Sequence, residues 1–425
     1  MSSRSILVIA DVGLSKTAST GGVLRSSRSI REYSRHFNTY LILPPTYASS
    51  IDIFMDLKKE LGAAEINHLK VWPRILLGNE RLTFIYPTIP SKVLRLLLGN
   101  LNRHRNAPDA IVVLNETYDC LSIGRVAKEY FNSPSLALLQ LPLLYHDRSR
   151  REQIEKAFEL WYKEVYSGEW FGKLIRELRT RLELLTAWSR FIKNILKSYD
   201  VLVAVSKAIV FEMGEEWFNK FYVLDPGVSL DAEDLELISE VRRHVRGKES
   251  YVVFGGRVDA LKGFIEALYA FRKVAEVYPS IKLAVTGYIG TKLKPRIERL
   301  TKRLGLEDRV TLTGTLPRVE RFRIVASAKL MLYPSHVDAF PYAVLESLCL
   351  GTPVVAYNIP ALRMYYSDNS GVTFVKEGDV EALAIEALNV LSKEKVDISP
   401  PQLRSWDDIM KEEVALINKL INESS

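Results

Sequence analysis

Short apolar runs bounded by polar or turn-forming residues recur along the chain at 6–10, 41–44, 67–71, 110–114, 136–140, 201–205 and 221–224, and again at 251–254, 330–333 and 353–357. Runs of this kind, without strict alternation, are the pattern of strands buried on both faces of a parallel sheet. Between several of them apolar residues return at helical spacing, as over 23–35 and 264–277. Strand and helix in alternation predict α/β architecture with doubly wound parallel sheets.

The stretch 330–357 carries the first candidate chemistry. A strand over 330–333 stops at Pro334 and a loop follows; Pro341 fits the first turn of a helix whose apolar residues include Leu345, Leu348 and Cys349, and Gly351 ends it. The loop therefore lies at the carboxyl end of a strand and the amino end of a helix, where unpaired N–H groups and the positive end of the helix dipole face a ligand. Asp338 precedes this helix and Glu346 lies inside it, eight positions on. A carboxylate can take two hydroxyls of a sugar or ribose ring. The plainer alternatives are a helix cap for Asp338 and a solvated face for Glu346. The strand at 251–254 opens into G-G-R-V-D-A-L-K-G. There Gly255 and Gly256 let the backbone approach a ligand, and Arg257 and Lys262 set two cations at a strand-to-helix turn, an arrangement suited to phosphates.

Taken in order, G-R-x-x-x-x-K-G, a strand ending at Thr286 and Gly287, V-T-L-T-G-T-L closing on Leu316, P-S-x-x-D-A-F-P-Y-A-V-L-E and G-T-P-V-V resemble the donor domain of retaining GT-B glycosyltransferases. This is the large family-4-like group with a Glu-x7-Glu motif, which includes sucrose-phosphate synthases and bacterial mannosyltransferases. The likeness covers 251–380 and is loose before it, and this chain has Asp338 where the family has the first Glu. The resemblance implies two Rossmann-like domains facing a cleft. It implies Arg257 and Lys262 at the donor diphosphate, Asp338 at the sugar hydroxyls and Glu346 at the ribose or sugar. Further donor contacts would come from Gly256, Gly287, Leu316, Ser335 and the backbone of Phe340, Pro341 and Tyr342. Gly21 and Gly22, which end a polar loop after the first strand, would face the donor phosphates from the other domain. Family members often carry a His near the end of the strand represented by 136–140; Gln140 stands there, unless His146 beside Asp147 is the counterpart, and Glu116 at the neighbouring strand end is a third acceptor-side candidate. D-P-G-V-S-L-D at 225–231 resembles the family's linker. It divides an acceptor domain over 1–228, with a helical hairpin at about 147–198, from a donor domain over 229–405, and the helical pattern within 406–425 is expected to cross back and brace the first domain.

Composition changes the picture little. The 425 residues are 47% hydrophobic and 26% charged, an ordinary soluble balance with room for two or three cores. Cys120 and Cys349 sit inside apolar helical patterns and predict buried thiols in a reducing compartment. The first strand begins too close to Met1 for a signal peptide and no run of 18 apolar residues occurs, so a cytoplasmic protein is expected. The net charge of +7 favours anionic ligands without choosing among nucleotides, acidic lipids and nucleic acid. Only three Gln stand beside abundant Glu, Lys and Arg, a bias reported for thermophiles. Over 148–197, twelve Lys and Arg and seven Asp and Glu are interleaved with Trp161, Trp170, Phe171, Trp188 and Phe191. That suits either an amphipathic surface lying on an anionic inner membrane or a helical hairpin whose aromatics pack against the sheet.

The functional expectation is sugar transfer with retention from a nucleotide-diphosphate donor to a glycan or lipid-linked acceptor. Neither metal nor cofactor is expected, because no D-x-D occurs in the sequence and two cations stand ready for the diphosphate. Three rivals remain: a nucleotide-sugar-binding protein of the same fold weakened through Asp338, a glycoside hydrolase using the two acids, and nucleic-acid binding, which rests on net charge alone and is not expected.

Overall fold

The computed structural model describes residues 4–10, 21–43, 65–68, 107–167, 186–394, 396–402 and 404–424. The chain divides into two compact units: Met1–Leu144 with Leu185–Val228 and Trp406–Ser425, and Tyr145–Leu184 with Ser229–Ser405. Among the described residues no helix is long and apolar enough to cross a membrane.

Unit 1 is built on a parallel sheet in the order β3 (Glu65–His68), β2 (Asn38–Leu43), β1 (Ser5–Ile9), β4 (Ala110–Val113), β5 (Ser135–Leu139), β6 (Val201–Ala204) and β7 (Phe221–Val223). Ile6, Val8, Ile9, Ile111, Val112, Leu138 and Val203 are fully buried, which is what apolar runs covered on both faces require. The strand order turns between β1 and β4. The helix Trp406–Ser424 packs in this unit and brings a buried acid with it. Glu413 pairs with Arg25 of the helix Gly21–His36 and accepts from the Tyr33 hydroxyl; Arg25, 1% exposed, also donates to the Gly227 carbonyl at 3.1 Å and to Ser29 Oγ at 2.8 Å. Burial, reinforced by Glu413, raises the Tyr33 phenol well above its ordinary pKa, so it stays a donor.

Unit 2 repeats the plan. Its parallel sheet runs β10 (Val310–Leu312), β9 (Lys282–Val285), β8 (Tyr251–Phe254), β11 (Met331–Tyr333), β12 (Val354–Tyr357), β13 (Val372–Val375). Val252, Val253, Phe254, Leu332, Val354 and Val355 are fully buried, and the Phe254 ring meets Phe264 edge-on at 5.2 Å. The strand order turns between β8 and β11. The loops 255–263 and 334–341 leave the carboxyl ends of those two strands, at the place where an open sheet parts to receive a ligand.

The helical region expected within the first domain is split. The helix Arg148–Val165 packs in unit 2, burying Ile154, Ala157, Trp161 and Val165. Arg150 pairs with Glu377 and donates to the His336 carbonyl at 2.6 Å, while Glu164 pairs with Arg303. The helix Thr186–Leu196 stays with unit 1. The stripe containing Trp161 is thus covered by protein rather than presented to a lipid surface. Phe191, 41% exposed, lies 5.4 Å from the Tyr118 ring. Trp170 and Phe171, the side chain of Trp188, and the end of the strand expected over 67–71 lie outside the described residues.

Candidate functional site

The two loops at the switch point of unit 2 close on one another through glycines. Gly263 has φ +65°, and a Cβ there would fall 1.9 Å from the Pro334 carbonyl oxygen. At Gly287 a Cβ would fall 1.7 Å from the Gly256 carbonyl oxygen. Only glycine permits either approach, so the loop after β8 lies in contact with the exits of both β9 and β11.

That closure brings Lys262 to Asp338. Lys262 Nζ lies 2.7 Å from Asp338 Oδ1, 2.9 Å from the Val337 carbonyl oxygen and 3.4 Å from Ser335 Oγ. The second oxygen of Asp338 accepts from the Tyr333 hydroxyl at 2.9 Å. Burial, then the Asp338 charge, raises the Tyr333 phenol well above its ordinary pKa, so Tyr333 serves as a neutral donor. The Lys262 and Asp338 side chains are 13% and 9% exposed. Asp259 organises the turn, accepting from the Lys262 backbone N–H at 2.9 Å and pairing with Arg257 Nε at 3.1 Å. Arg257 itself remains open to solvent, with 42% of its side chain exposed.

The next helix is Tyr342–Cys349, and Pro341 stands at its N-cap rather than in its first turn. A proline offers no N–H, so the donors at this helix start are those of Tyr342 and its successors. No side chain caps it. Asp338 is therefore not the cap; its carboxylate is engaged by Lys262 and Tyr333 instead. Glu346 is not solvated either, because every residue from Val344 to Cys349 is buried. Its Oε1 accepts from Arg321 Nη2 at 2.7 Å. Phe340 is buried against Tyr365, with ring centroids 4.8 Å apart, and Tyr342 donates to the Ser229 carbonyl at 3.1 Å. Leu316 is half-buried ahead of Pro317, the N-cap of the helix Arg318–Ser327 that carries Arg321.

Three polar residues that sequence reasoning passed over lie next to this site. His336, inside the P-S-H-V-D run and 1% exposed, holds Glu266 Oε1 at 2.9 Å from Nε2 and Glu377 Oε1 at 2.8 Å from Nδ1. Tyr333 and Arg321, which orient the two acids, were also missed. A polar residue at a strand end next to an acid was the available signal for Tyr333 and His336. Nothing in the sequence pairs Arg321 with Glu346.

In unit 1, Gly21 and Gly22 begin the helix Gly21–His36 rather than ending the loop before it. A Cβ on Gly22 would lie 3.1 Å from Gln140 Oε1, so these two candidates are neighbours. Gln140 is largely committed within the unit: its side-chain amide donates to Ser26 Oγ at 2.8 Å and to the Leu114 carbonyl at 2.6 Å, and its backbone N–H donates to Glu116 Oε2 at 2.9 Å. His146 is exposed and belongs to unit 2, directly before Asp147, the cap of the helix Arg148–Val165.

Residues 239–403 match the family model described as glycosyl transferases group 1, so the resemblance is concentrated in unit 2. The D-inositol 3-phosphate glycosyltransferase of Segniliparus rotundus is 30% identical over 159 residues, 37% of this chain and 34% of that protein; this chain thus spans about a third of that relative. The MMP alpha-(1->4)-mannosyltransferase of Mycolicibacterium hassiacum is 24% identical over 322 residues, 71% of this chain and 69% of that protein. Among solved structures, the sucrose-phosphate synthase of Thermosynechococcus elongatus matches with a TM-score of 0.66 at 16% identity, over 99% of this chain and 100% of that one. Anabaena HepE in complex with UDP and glucose matches with a TM-score of 0.62 at 16% identity, over 99% of each chain. The fold is the two-domain GT-B type of α/β protein.

Proposed function

We propose that this chain, whose second unit matches group 1 glycosyl transferases, is a retaining glycosyltransferase that moves a sugar from a nucleotide-diphosphate donor to a glycan or lipid-linked acceptor without a metal ion. The observation that carries the reading is the convergence of Lys262, Ser335, Tyr333 and Asp338 at the switch point of unit 2, inside the matched segment. Departure of a nucleoside diphosphate leaves charge on phosphate oxygens. Arg257, open to solvent, and Lys262 would stabilise that charge, each by ~2.7–4 kcal/mol on the scale of oxyanion-hole donors. Lys262 carries three N–H bonds, and the 3.4 Å contact to Ser335 is the weakest and the one a phosphate oxygen would replace. Asp338, oriented by Lys262 and Tyr333, would hold sugar hydroxyls. Glu346, oriented by Arg321, would hold ribose or sugar hydroxyls, and the N–H groups at the start of Tyr342–Cys349 would meet the remaining oxygens. Gly256 and Gly287 keep the backbone close enough for these contacts. Gly21 and Gly22 remain candidates for the donor phosphates, and Glu116, Gln140 and His146 remain candidates on the acceptor side, with the Gln140 N–H2 already engaged by Ser26 and Leu114. A cytoplasmic location suits the two buried thiols, Cys120 and Cys349.

The nucleotide sugar that names the donor is found by thermal shift across UDP- and GDP-sugars, followed by NMR of the product's anomeric centre. The expected result is a stabilising donor, an anomer matching that donor and turnover that persists in EDTA. No stabilisation and no consumption of any nucleotide sugar would overturn the activity. An inverted anomer would overturn retention, and EDTA loss restored by a divalent ion would overturn metal independence.

A further inference from the structure

The pairings of His336 take no part in the donor contacts of Lys262, Asp338 and Glu346. A carboxylate accepts only, and a neutral imidazole donates from one nitrogen only. Glu266 on one ring nitrogen and Glu377 on the other therefore call for the doubly protonated ring. Arg150 brings a second positive charge onto Glu377, so two cations face two anions and the buried cluster is neutral as a whole. Burial pulls the imidazole pKa down, the hydrogen bonds and charges of Glu266 and Glu377 push it up, and the balance lies above the ordinary value. The other titratable groups nearby are Tyr357 on β12, whose ring lies 5.3 Å away and whose phenol burial holds far above its usual range, and Asp379, the cap of the helix Val380–Leu391.

The backbone of the same residue joins three segments. The His336 N–H donates to the Leu261 carbonyl at 2.8 Å, next to Lys262, and its own carbonyl accepts from Arg150 at 2.6 Å. Asp338 lies two residues further on.

We propose that His336 is a positioning residue for the donor site: its imidazolium, clamped between Glu266 and Glu377, holds residues 334–338 against Leu261 and Arg150 so that Asp338 meets Lys262, and loss of its proton slackens that hold. The inference rests on the donor-site reading for its consequence in binding. Deprotonation turns one ring nitrogen into an acceptor facing a carboxylate in a buried place, an arrangement with nothing to donate. The folded-state pKa lies above the unfolded one, about 6.5. The clamp is therefore fully present below that unfolded value and is lost as pH rises through the folded pKa.

The test uses the full chain and two probes, UDP-glucose and GDP-mannose. Imidazole C–H resonances are followed against pH by NMR, with His336→Gln identifying its signal, and probe affinity is measured over the same range. His336 is expected to titrate above 6.5, with affinity for the bound probe falling tenfold or more about that midpoint. Glu377→Gln moves both midpoints to lower pH, and His336→Gln binds at the parent's high-pH level with no step. Titration at or below the ordinary value, or His336→Gln matching the parent at low pH, would overturn the proposal. If neither probe binds, the donor reading is decided by the wider nucleotide-sugar screen and the clamp is read from unfolding. A stability gap between parent and His336→Gln that closes as pH rises through the midpoint sustains it, and a constant gap sinks it. Should His336→Gln fail to fold, the midpoint shift in Glu377→Gln decides alone.

Discussion

Replacing Asp338 by Asn removes one charge and keeps the shape, and the surroundings set the cost. The carboxylate is 9% exposed and accepts from two donors, Lys262 at 2.7 Å and Tyr333 at 2.9 Å. An Asn offers one accepting oxygen, so its amide N–H2 must face one of those donors. A hydrogen bond to a charged group contributes ~1.5–3 kcal/mol. Loss of that amount from the folded state lowers the melting temperature by roughly 3–12 °C for a cooperative unit the size of unit 2. Loss of the same amount from a bond to the donor sugar in the transition state lowers turnover by about 12- to 160-fold. Asp338→Glu keeps the charge but inserts a methylene into a filled space, which costs ~1–3 kcal/mol, so its rate is expected between the parent and the Asn variant. Initial rates at saturating donor and melts in one buffer measure both quantities. An Asn variant that turns over at the parent rate would refute the sugar-holding role, and no capping argument can rescue it, because the helix cap is Pro341.

Arg257→Ala and Lys262→Ala are each expected to lose roughly 10²-fold or more in kcat; Arg257→Ala should leave the melting temperature nearly unchanged because its side chain is 42% exposed, and near-parent rates in both variants would remove the phosphate assignment. Glu346→Ala leaves Arg321 without its partner and is expected to shrink the donor-induced rise in melting temperature; an unaltered rise would confine Glu346 to a structural pair. Gly263→Ala forces a Cβ to 1.9 Å from the Pro334 carbonyl at φ +65°, and urea unfolding should show a loss above ~1 kcal/mol together with weaker donor binding. A Gly263→Ala variant as stable as the parent would mean the two loops part freely.

The regular elements were legible wherever burial on both faces wrote an apolar run: β8 and the helix Phe264–Val277 occupy the residues their patterns mark. The partition of 148–197 was not legible. An amphipathic stripe such as Ile154, Ala157, Trp161 and Val165 says that a face is covered, not by which sheet, and the deciding contact, Arg150 with Glu377, joins residues far apart in the chain. Pro341 was misplaced by one residue because its fixed φ suits an N-cap as well as a first turn. The acids of the site were visible from spacing, whereas their orienting partners Tyr333 and Arg321 were not, because hydrogen-bond partners follow from tertiary approach. His336 lay in plain view inside the P-S-H-V-D run, and only the arrival of Glu266 and Glu377 gives it a charge to hold.

The helix Trp406–Ser424 joins unit 1 only after all of Ser229–Ser405 has been made. During synthesis Arg25 and Tyr33 leave the ribosome nearly four hundred residues before Glu413, their common partner. Until that acid arrives, a guanidinium and a phenol destined for full burial must stay hydrated, so the helix Gly21–His36 cannot take its final depth. Unit 2 can therefore reach its native packing while unit 1 still lacks the helix Trp406–Ser424, and a chain terminated just before Trp406 would carry a complete second unit and an open first one.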